Sequence, residues 1–432
     1  MNYKEAREYI QSTERFGSKL GLERILRVLY YLDNPQEKIK AIHVAGTNGK
    51  GSTSVMTAEI LKSEGYSVGL YTSPYLEEFE ERIRINSKNI SKDDLAYIIS
   101  KVKKAADLAA LDGVGESTEF EIITCAGFLY FHEKAVDYVV LEVGLGGRYD
   151  ATNVIKPILS VITSISYDHM HILGDTLEKI AYEKAGIIKK NVPLVLYTQE
   201  KGAEEVIKRI AKQNSIDIIE LKDVEIKVNK IYEVDNKLVQ NLTIKTKKHE
   251  YNIDLSLLGK HQVLNCAMAI LAVEALENMK ITIKKQSIEK GLRQVIWPGR
   301  FEILKNQPYV VIDGAHNIDG IRNLKESVFK YLKFKRLTLI IGILKDKEVE
   351  NIIKTIVPCA DKVICVKPHN IRAEHEEELN KIVKKYNNNS IFLKDYREAY
   401  NLAMENANVD DLVLICGSLY MIGDMRKIIK II

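Results

Sequence analysis

The residues best suited to chemistry form a glycine-rich turn near the amino terminus, Gly-Thr-Asn-Gly-Lys-Gly-Ser at 46–52. An apolar run precedes this turn, and a helix-compatible segment, 54–64, follows it. Glycines let backbone N–H groups approach phosphate oxygens, and Lys50 adds a cation at the positive end of the helix. The spacing departs from the usual phosphate-loop pattern, because Val44 replaces its first glycine and Gly51 separates the lysine from the serine. We interpret the turn as a phosphate-binding loop, with a plain strand-to-helix turn as the alternative.

Two polar residues stand where predicted strands end, the edge at which ligands bind in open α/β sheets. Ser73 follows a predicted strand at 67–71 and precedes Pro74, which stops that strand. Glu142 ends a nearly all-apolar strand at 137–143. Because a buried, unpaired carboxylate is costly, Glu142 should face a cation or water. Beside a phosphate loop, this carboxylate is predicted to serve Mg²⁺, directly or through another ligand.

A histidine and a lysine follow on the next elements. The strand at 159–165 leads to Asp168 and His169, which suit metal binding, proton transfer or simple loop hydrogen bonds. Apolar residues at helical spacing surround Lys184 and place it on the inward face of its helix. A side chain that bends back to solvent is the alternative. An inward amine beside a carboxylate and a phosphate loop is a candidate active-site group, open to modification into an anionic ligand.

The second half of the chain again carries polar residues at the starts of helices and the ends of strands. Asn265 lies in the first turns of a predicted helix at 259–278, where it can cap the helix or hydrogen-bond a base or ribose. Asp313, His316 and Ser418 follow predicted strands. An aspartate at such a position suits a ribose hydroxyl, and it equally suits the capping of a loop.

Two α/β units are needed to position these residues, since 432 residues exceed one ordinary core. We predict a P-loop ATPase-type domain over 1–296, with a mostly parallel sheet and helices on both faces. Within it, a period of two over about 224–257 predicts a small antiparallel meander. Strands and helices alternate again after the only Trp, which predicts a smaller Rossmann-like α/β domain over 297–432. Residues 3–33 are predicted to form two helices.

Composition excludes several other classes of protein. The net charge is only +4 and both signs are interspersed, so no nucleic-acid-binding stripe is expected. The five cysteines are scattered without a C-x-x-C pair, which predicts buried thiols in a reducing compartment. No apolar leader opens the sequence, and no apolar run reaches about 18 residues. We therefore expect a cytoplasmic protein with no membrane partner.

Together these features indicate an enzyme whose cleft closes on a nucleotide and a second substrate. No G-x-S-x-G hydrolase signature occurs, and no G-x-G-x-x-G nicotinamide fingerprint is completed. What remains is positioning and charge neutralisation around a γ-phosphate, as in phosphoryl transfer. A P-loop regulatory protein with partner-dependent hydrolysis is the alternative, although it explains neither Lys184 nor the second α/β domain.

An ordered series of motifs resembles one family across essentially the whole chain. The series consists of Gly46-Thr47-Asn48-Gly49-Lys50-Gly51-Ser52, Tyr71-Thr72-Ser73-Pro74, Glu142-Val143-Gly144-Leu145-Gly146-Gly147, Asp168-His169, Glu183-Lys184-Ala185-Gly186, Trp297-Pro298-Gly299-Arg300, Asp313-Gly314-Ala315-His316-Asn317 and Gly417-Ser418-Leu419-Tyr420. It resembles the folylpolyglutamate synthases and bifunctional dihydrofolate synthases, members of the Mur ligase superfamily.

The resemblance implies a role for each matching residue. The implied ATP-binding residues are Thr47, Asn48, Gly49, Lys50, Gly51, Ser52, Asn265, Arg300 and Asp313. The implied Mg²⁺ ligands are Ser73, Glu142, His169 and Lys184, the last as a carbamate. The implied folate contacts are Pro74, Tyr75 and Arg82, and the implied glutamate contacts are His316 and Ser418. Lys50, Lys184 and His316 are the implied catalytic residues.

The activity implied by the resemblance is ATP-dependent formation of an amide between L-glutamate and the terminal carboxylate of tetrahydrofolate, through an acyl phosphate. Dihydropteroate is implied as a second acceptor, a point that the motifs themselves leave open. Two Mg²⁺ ions, ATP and a carbamylated Lys184 are the implied cofactors. The family also implies a monomer.

Overall fold

The computed structural model describes residues 1–17, 21–235, 237–370 and 372–431. The strands are β1 (Ala41–Ala45), β2 (Val68–Tyr71), β3 (Ile83–Ile85), β4 (Lys88–Asn89), β5 (Tyr138–Glu142), β6 (Leu159–Ile162), β7 (Leu194–Leu196), β8 (Ile218–Glu220), β9 (Glu225–Val234), β10 (Lys237–Lys245), β11 (Glu250–Leu255), β12 (Glu302–Asn306), β13 (Tyr309–Asp313), β14 (Leu337–Ile341), β15 (Lys362–Cys365), β16 (Ser390–Phe392) and β17 (Leu412–Cys416). The helices are α1 (Tyr3–Thr13), α2 (Glu23–Tyr31), α3 (Lys50–Glu64), α4 (Lys92–Ala109), α5 (Glu119–Glu133), α6 (Met170–Leu173), α7 (Leu177–Lys184), α8 (Lys201–Gln213), α9 (Lys260–Ala275), α10 (Lys285–Gln294), α11 (Ile318–Tyr331), α12 (Val349–Ile356), α13 (Glu376–Lys384), α14 (Tyr396–Glu405) and α15 (Leu419–Ile431). Leu20, which falls in the second of the two helices predicted over 3–33, lies outside the described residues.

The first sheet has eight strands in the order β4-β3-β2-β5-β1-β6-β7-β8. Every pair from β2 to β8 is parallel, and β3 and β4 extend the edge antiparallel. Helices cover both faces, with α3 and α9 in one core and α4 and α5 in another. Burial on both faces explains why β1 and β5 are almost continuously apolar. The predicted mostly parallel sheet is confirmed, and the carboxyl ends of β1, β2, β5 and β6 share one edge.

The predicted meander is also confirmed. Strands β9, β10 and β11 form a separate antiparallel sheet in the order β11-β10-β9. Leu242, Ile244, Tyr251, Ile253 and Leu255 point from it into the core that contains α3 and α9. This alternate burial is what a period of two requires when one face of a sheet is covered.

The second large sheet has six strands in the order β12-β13-β17-β14-β15-β16. All of its pairs are parallel except β12 with β13, and helices pack on both faces. This is the smaller Rossmann-like sheet that the sequence predicted. The domain boundary at residue 296 stays a prediction.

Several local features differ from the sequence prediction. Helix α3 begins at Lys50, four residues earlier than the pattern indicated, and the strand predicted at 159–165 ends at Ile162. The hairpin β3–β4 and the edge strand β12 were not anticipated, because two to five residues are too few to show a period. Within the described ranges, no helix is long and apolar enough to cross a membrane.

Candidate active site

The glycine-rich turn joins β1 to α3 and leaves the start of that helix open. Gly49 adopts φ 86° immediately before Lys50, and no side chain caps the helix. A Cβ atom on Gly46 would lie 1.9 Å from Thr163 Oγ1, and one on Gly49 would lie 2.4 Å from Asn265 Oδ1. Glycine is therefore required at both positions. The first N–H groups of α3 remain available to an anion, as the phosphate-loop interpretation predicts.

The side chain of Lys50 folds back into this loop. Its Nζ donates to the carbonyl oxygens of Gly46 and Thr47, both at 3.1 Å. The amine is thus held within the turn by two neutral acceptors. An anionic oxygen is a stronger acceptor than a carbonyl, so a bound phosphate would draw the amine toward itself.

Packing against the following helical turn explains the inserted glycine of the motif. A Cβ atom on Gly51 would lie 3.0 Å from Trp297 Cζ2 and 3.5 Å from Glu142 Oε2. The absence of a side chain at Gly51 lets the indole and the carboxylate approach the first turn of α3. The unusual spacing therefore serves a close approach between three segments.

Glu142 and Ser73 lie together at the carboxyl ends of β5 and β2. The backbone N–H of Ser73 donates to Glu142 Oε2 at 3.2 Å, and Glu142 is buried. Burial raises the pKa of Glu142, while the charge of Lys50 and the Ser73 hydrogen bond oppose that rise. A buried carboxylate so close to a phosphate loop fits a role beside a cation.

The fit to Mg²⁺ can be judged from the donor atoms. Among the described residues, no group of three or more His, Cys, Asp or Glu side chains is arranged to hold a metal. Mg²⁺ does not require such a cage, because it commonly takes one or two carboxylates and completes its shell with water and phosphate oxygens. Glu142 and Ser73 supply suitable oxygen donors, whereas the nitrogen of His169 is a softer ligand. The metal role of these three residues stays a prediction.

Lys184, at the end of α7, points into the protein as predicted. It is 3% exposed, and its Nζ donates to the carbonyl oxygen of Gly46 at 2.8 Å. Burial lowers the pKa of Lys184 to about 7, with the charge of Lys50 acting in the same direction. The solvent-facing alternative is therefore wrong, and an appreciable fraction of this amine is neutral near pH 7.

Three basic side chains surround the carboxylate of Asp168. His169 comes from the loop after β6 of the first sheet, and His316 and Lys347 come from the loops after β13 and β14 of the second. Lys347 Nζ lies 2.5 Å from Asp168 Oδ1, and His316 Nε2 lies 3.6 Å from Oδ2. His169 Nε2 is 3.9 Å from Oδ1. Burial alone would raise the pKa of Asp168, but contact with His316 and the charge of Lys347 hold that pKa well below its usual value. Asp168 is thus an anion at the bottom of the cleft.

Lys347 was not identified from the sequence, since it lies 179 residues from Asp168 in the chain. The sequence held one indication of its role. Lys347 follows β14, and the loops after β13 and β14 lie at the same edge of the sheet. His169 adopts φ 49°. Burial lowers the pKa of His169 to about 4, so its imidazole is neutral at pH 7.

Asp313 ties two loops of the second sheet together. Its carboxylate accepts hydrogen bonds from the N–H groups of Phe301 and Ala315, both at 2.7 Å. Burial raises the pKa of Asp313, and the charge of Arg300 opposes that rise. In the same loop, His316 Nδ1 lies 2.8 Å from the carbonyl oxygen of Gly314, which leaves Nε2 directed toward Asp168. A contact between Asp313 and a ribose stays a prediction.

A cavity of about 750 Å³ collects most of the predicted site residues. The predicted residues that line it are Thr47, Asn48, Gly49, Lys50, Gly51, Ser52, Ser73, Pro74, Glu142, His169, Lys184, Asn265, Arg300, Asp313 and His316. Tyr75, Arg82 and Ser418 are not part of its lining. The Arg82 guanidinium lies 5.3 Å from the centre of the Tyr75 ring, beside the cavity, and Ser418 is 1% exposed.

His261, in the first turn of α9, also lines the cavity beside Asn265. Burial lowers the pKa of His261 to about 4, and its Nδ1 has no hydrogen-bond partner among the described residues. Asn265 donates to Gln262 Oε1 at 3.2 Å one turn later. These amide and imidazole groups offer neutral donors and acceptors at the start of α9.

Comparison with known proteins gives a consistent result over the full length of the chain. Residues 44–273 match the Mur ligase middle domain, and residues 299–419 match the Mur ligase glutamate ligase domain. A dihydrofolate synthase/folylpolyglutamate synthase of Bacillus subtilis is 38% identical, with 99% of each chain covered. A crystal structure of Mycobacterium tuberculosis folylpolyglutamate synthase, complexed with ADP and AMPPCP, is 27% identical with a TM-score of 0.90 and covers 99% of each chain. Escherichia coli FolC, in complex with DHPP and ADP, is 28% identical with a TM-score of 0.86, covering 99% of this chain and 98% of that one.

Proposed function

The chain belongs to the Mur ligase family, in the branch of the folylpolyglutamate and dihydrofolate synthases, and we propose that it joins L-glutamate to the terminal carboxylate of tetrahydrofolate at the expense of ATP. The observation that supports this most directly is the single cleft in which the phosphate loop, Glu142 and Lys184 face Asp313 and His316 of the second sheet. Such a cleft suits a reaction that brings a nucleotide, an acid and an amine together. Nothing in the comparisons supports the regulatory alternative.

In the first step, the folate carboxylate attacks the γ-phosphorus of ATP. The bond from that phosphorus to the β,γ-bridging oxygen breaks, ADP leaves, and an acyl phosphate forms. Two anions must approach each other, so the amine of Lys50 and the open N–H groups at the start of α3 are assigned to offset their repulsion. The acyl phosphate is a good electrophile because phosphate is a good leaving group.

Glu142, Ser73 and His169 are the residues that we propose to hold Mg²⁺. When bound, Mg²⁺ neutralises charge on the phosphate oxygens. The N–H group of Ser73 orients the Glu142 carboxylate by a hydrogen bond, and the charge of Lys50 favours its ionised form.

In the second step, the glutamate amine loses a proton and attacks the carbonyl carbon of the acyl phosphate. The C–O bond to phosphate breaks, and phosphate leaves as the amide forms. We assign His316 to the amine, because its Nε2 faces the cleft beside the anionic Asp168 and can receive the proton. Exclusion of water protects the acyl phosphate from hydrolysis in the meantime.

We propose that the amine nitrogen of Lys184 adds to the carbon of carbon dioxide, forming an N–C bond and releasing one proton to solvent, to give a carbamate. Only a neutral amine can do so, and the buried environment of Lys184 supplies one by lowering its pKa to about 7. The new anion would lie near Lys50 and the Gly46 carbonyl, on the metal side of the cavity.

The decisive assay is release of ADP by the purified protein with ATP, Mg²⁺ and L-glutamate. Tetrahydrofolate and dihydropteroate are offered in parallel, which separates the two acceptor acids. We expect ADP release to require both an acid and glutamate. Release that neither acid stimulates would contradict the ligase function.

The remaining assignments concern the residues that contact the folate and the glutamate, and the location, assembly and domain division of the protein. Pro74, Tyr75 and Arg82 are proposed to contact the folate at the edge of the cavity, and Ser418 to support the glutamate pocket from beneath. A cytoplasmic location, a monomeric state and a domain boundary near residue 296 are part of the same proposal. Gel filtration of the purified chain tests the monomer.

A further inference from the structure

Two asparagine side chains form a reciprocal pair across the cleft. Asn48 Nδ2 donates to Asn317 Oδ1 at 3.3 Å, and Asn317 Nδ2 donates to Asn48 Oδ1 at 3.0 Å. The residues are 269 positions apart in the chain. One lies in the phosphate loop and the other begins α11 in the second sheet's layer. We refer to Asn48 and Asn317 as the amide bridge.

On the first side, Asn48 is fixed to the loop that follows β6. Its carbonyl oxygen accepts a hydrogen bond from Thr163 Oγ1 at 2.8 Å, and its Nδ2 donates to Ser166 Oγ at 3.1 Å. A change in the conformation of the phosphate loop would therefore move the side chain of Asn48. Lys50, two residues further on, now donates to loop carbonyls that a bound phosphate would replace as acceptor.

On the second side, Asn317 is part of the group that surrounds the predicted amine site. It is 4% exposed, and its Oδ1 caps α11 by accepting the N–H of Gly320 at 2.8 Å. It directly follows His316, and its Nδ2 lies 3.5 Å from Asp168 Oδ2. A movement of Asn317 therefore moves the start of α11 together with the backbone of His316.

We infer that Asn48 and Asn317 are positioning residues that couple occupancy of the phosphate loop to the geometry of the amino-acid site. The inference rests on the proposed function. Two antiparallel hydrogen bonds fix both the distance and the orientation of the paired amides, unlike a single ion pair. The two hydrogens of Asn48 Nδ2 are shared among three oxygens, Asn317 Oδ1, Ser166 Oγ and Asp319 Oδ2, so Asn48 faces two acceptors at the start of α11.

A purely structural role would have a different consequence. A bridge that only holds the two layers together would stabilise the protein equally with and without nucleotide. A coupling bridge makes the affinity for one ligand depend on the other, and the ratio of the two affinities measures that dependence.

The test measures the Kd of L-glutamate by calorimetry, in the presence of Mg²⁺, with and without AMPPCP. For the wild type we expect AMPPCP to lower that Kd by about fivefold or more, the lower end of typical couplings. Asn317→Ser retains a side chain that caps helices but is too short to pair with Asn48. We expect its Kd ratio to fall to near one, with the Kd of AMPPCP alone changed by less than about twofold.

Asn2→Ser is the matched control, because Asn2 caps α1 by accepting the N–H of Glu5 far from the cleft. It makes the same chemical change at a helix start and should leave the ratio unaltered. Asn48→Ser breaks the bridge from the other side while keeping the cap of α11, and it serves if Asn317→Ser unfolds. Because Asn48 is also a predicted ATP-binding residue, its ratio is measured at AMPPCP concentrations that saturate this variant. The double variant should show no loss in the ratio beyond that of Asn48→Ser, since both changes remove the Asn48–Asn317 pair and Asn48→Ser also removes the contact with Asp319.

An unchanged ratio in Asn317→Ser, or a wild type whose glutamate affinity does not respond to AMPPCP, would overturn the coupling role. ADP release by the wild type with folate and glutamate is measured on the same preparation. An active wild type with an unaltered ratio in the variant refutes the bridge alone. An inactive wild type refutes the proposed function and the bridge with it.

Discussion

Single buried amines determine much of the chemistry that the cleft can perform. Replacement of Lys184 by Ala removes an amine that is neutral in part at pH 7 and faces the phosphate loop. We expect ADP release to fall by at least about a hundredfold, the size of effect seen when one group that stabilises charge in a transition state is lost. Added bicarbonate should not restore it. NMR of protein equilibrated with ¹³C-bicarbonate should show a carbamate signal in the wild type and none in the variant.

Lys189→Ala is the matched control for this experiment. Lys189 is half-buried, its pKa is also lowered by burial, and it does not line the cavity. Its loss should leave both the carbamate signal and the rate of ADP release essentially unchanged. Near-normal turnover in Lys184→Ala would remove Lys184 from the reaction.

One buried histidine should make the free energy of unfolding of the protein depend on pH. His43 lies in the middle of β1, fully buried, with Nε2 2.8 Å from Thr152 Oγ1. Burial lowers the pKa of His43 to about 3 from 6.5. The unfolded chain therefore binds a proton below pH 6.5 that the folded chain does not, so stability is full above pH 6.5 and falls as the pH drops toward 3. The loss at this one site can reach on the order of 5 kcal/mol.

Urea unfolding between pH 7.5 and pH 4.5 checks this expectation. His43→Gln keeps a donor within reach of Thr152 but carries no titrating ring, so its stability should fall less steeply with pH. His375→Gln provides the control, because the imidazole of His375 is 60% exposed. Equal slopes for the wild type and His43→Gln would contradict the prediction.

Among the secondary-structure elements, α3 allows local strain to be separated from ligand binding. Gly49 and Gly65 flank this helix with φ of 86° and 110°, a region that side chains disfavour. A Cβ atom on Gly49 would meet Asn265 Oδ1 at 2.4 Å, whereas nothing lies within 4 Å of one on Gly65. We expect alanine at either position to lower the free energy of unfolding by about 1 kcal/mol from backbone strain.

Only the alanine substitution at Gly49 should weaken the binding of ATP. Gly49→Ala must displace the Asn265 amide and narrow the phosphate loop, so its KM for ATP should rise by about tenfold, whereas that of Gly65→Ala should stay near the wild-type value. Steady-state kinetics with chemical unfolding of both variants separates the two effects. A similar KM in both variants would show that the contact with Asn265 is unimportant.

The elements differ in how far the sequence predicts them. Segments with a clear period, such as the meander and the helix predicted over 259–278, were placed within a few residues, because many side chains contribute to each pattern. The inward position of Lys184 was predicted for the same reason. The hairpin β3–β4 was missed because its strands have three and two residues. Lys347 and the amide bridge were missed because local patterns carry no information on contacts 179 or 269 residues apart.

The whole molecule places the carboxyl edges of two parallel sheets opposite each other. The ends of β1, β2 and β5 supply the phosphate loop, Ser73 and Glu142, and the ends of β13 and β14 lead to the loops of His316 and Lys347. Because parallel sheets expose their loops at this edge, a nucleotide and an amine can meet without either sheet being interrupted. Alignment of the two edges therefore depends on contacts away from the cleft as well as within it.

One such contact joins the last helix to the segment beside the predicted folate contacts. Arg426 of α15 donates to Glu302 of β12, with Nη2 2.6 Å from Oε1, and also pairs with Glu77. The three side chains are 12%, 21% and 18% exposed. Arg426→Met keeps most of the volume but leaves Glu302 without the guanidinium, while Glu77 keeps Lys430 Nζ at 3.3 Å. We expect the free energy of unfolding to fall by roughly 2 kcal/mol, less than for a fully buried pair because solvent still reaches the site.

Arg426→Met should change the KM for tetrahydrofolate more than the KM for ATP. Glu77 is two residues from Tyr75, so the loss of its contact with Arg426 should raise the KM for tetrahydrofolate several-fold while the KM for ATP changes little. Lys134→Met is the control, since the Lys134 and Asp94 side chains are 45% and 34% exposed and pair at the surface, outside the lining of the cavity. Such a pair is worth at most about 1 kcal/mol, and its loss should leave both KM values unaltered. If both variants lose the same stability and neither changes the KM for tetrahydrofolate, α15 does not hold the folate-side segment in place.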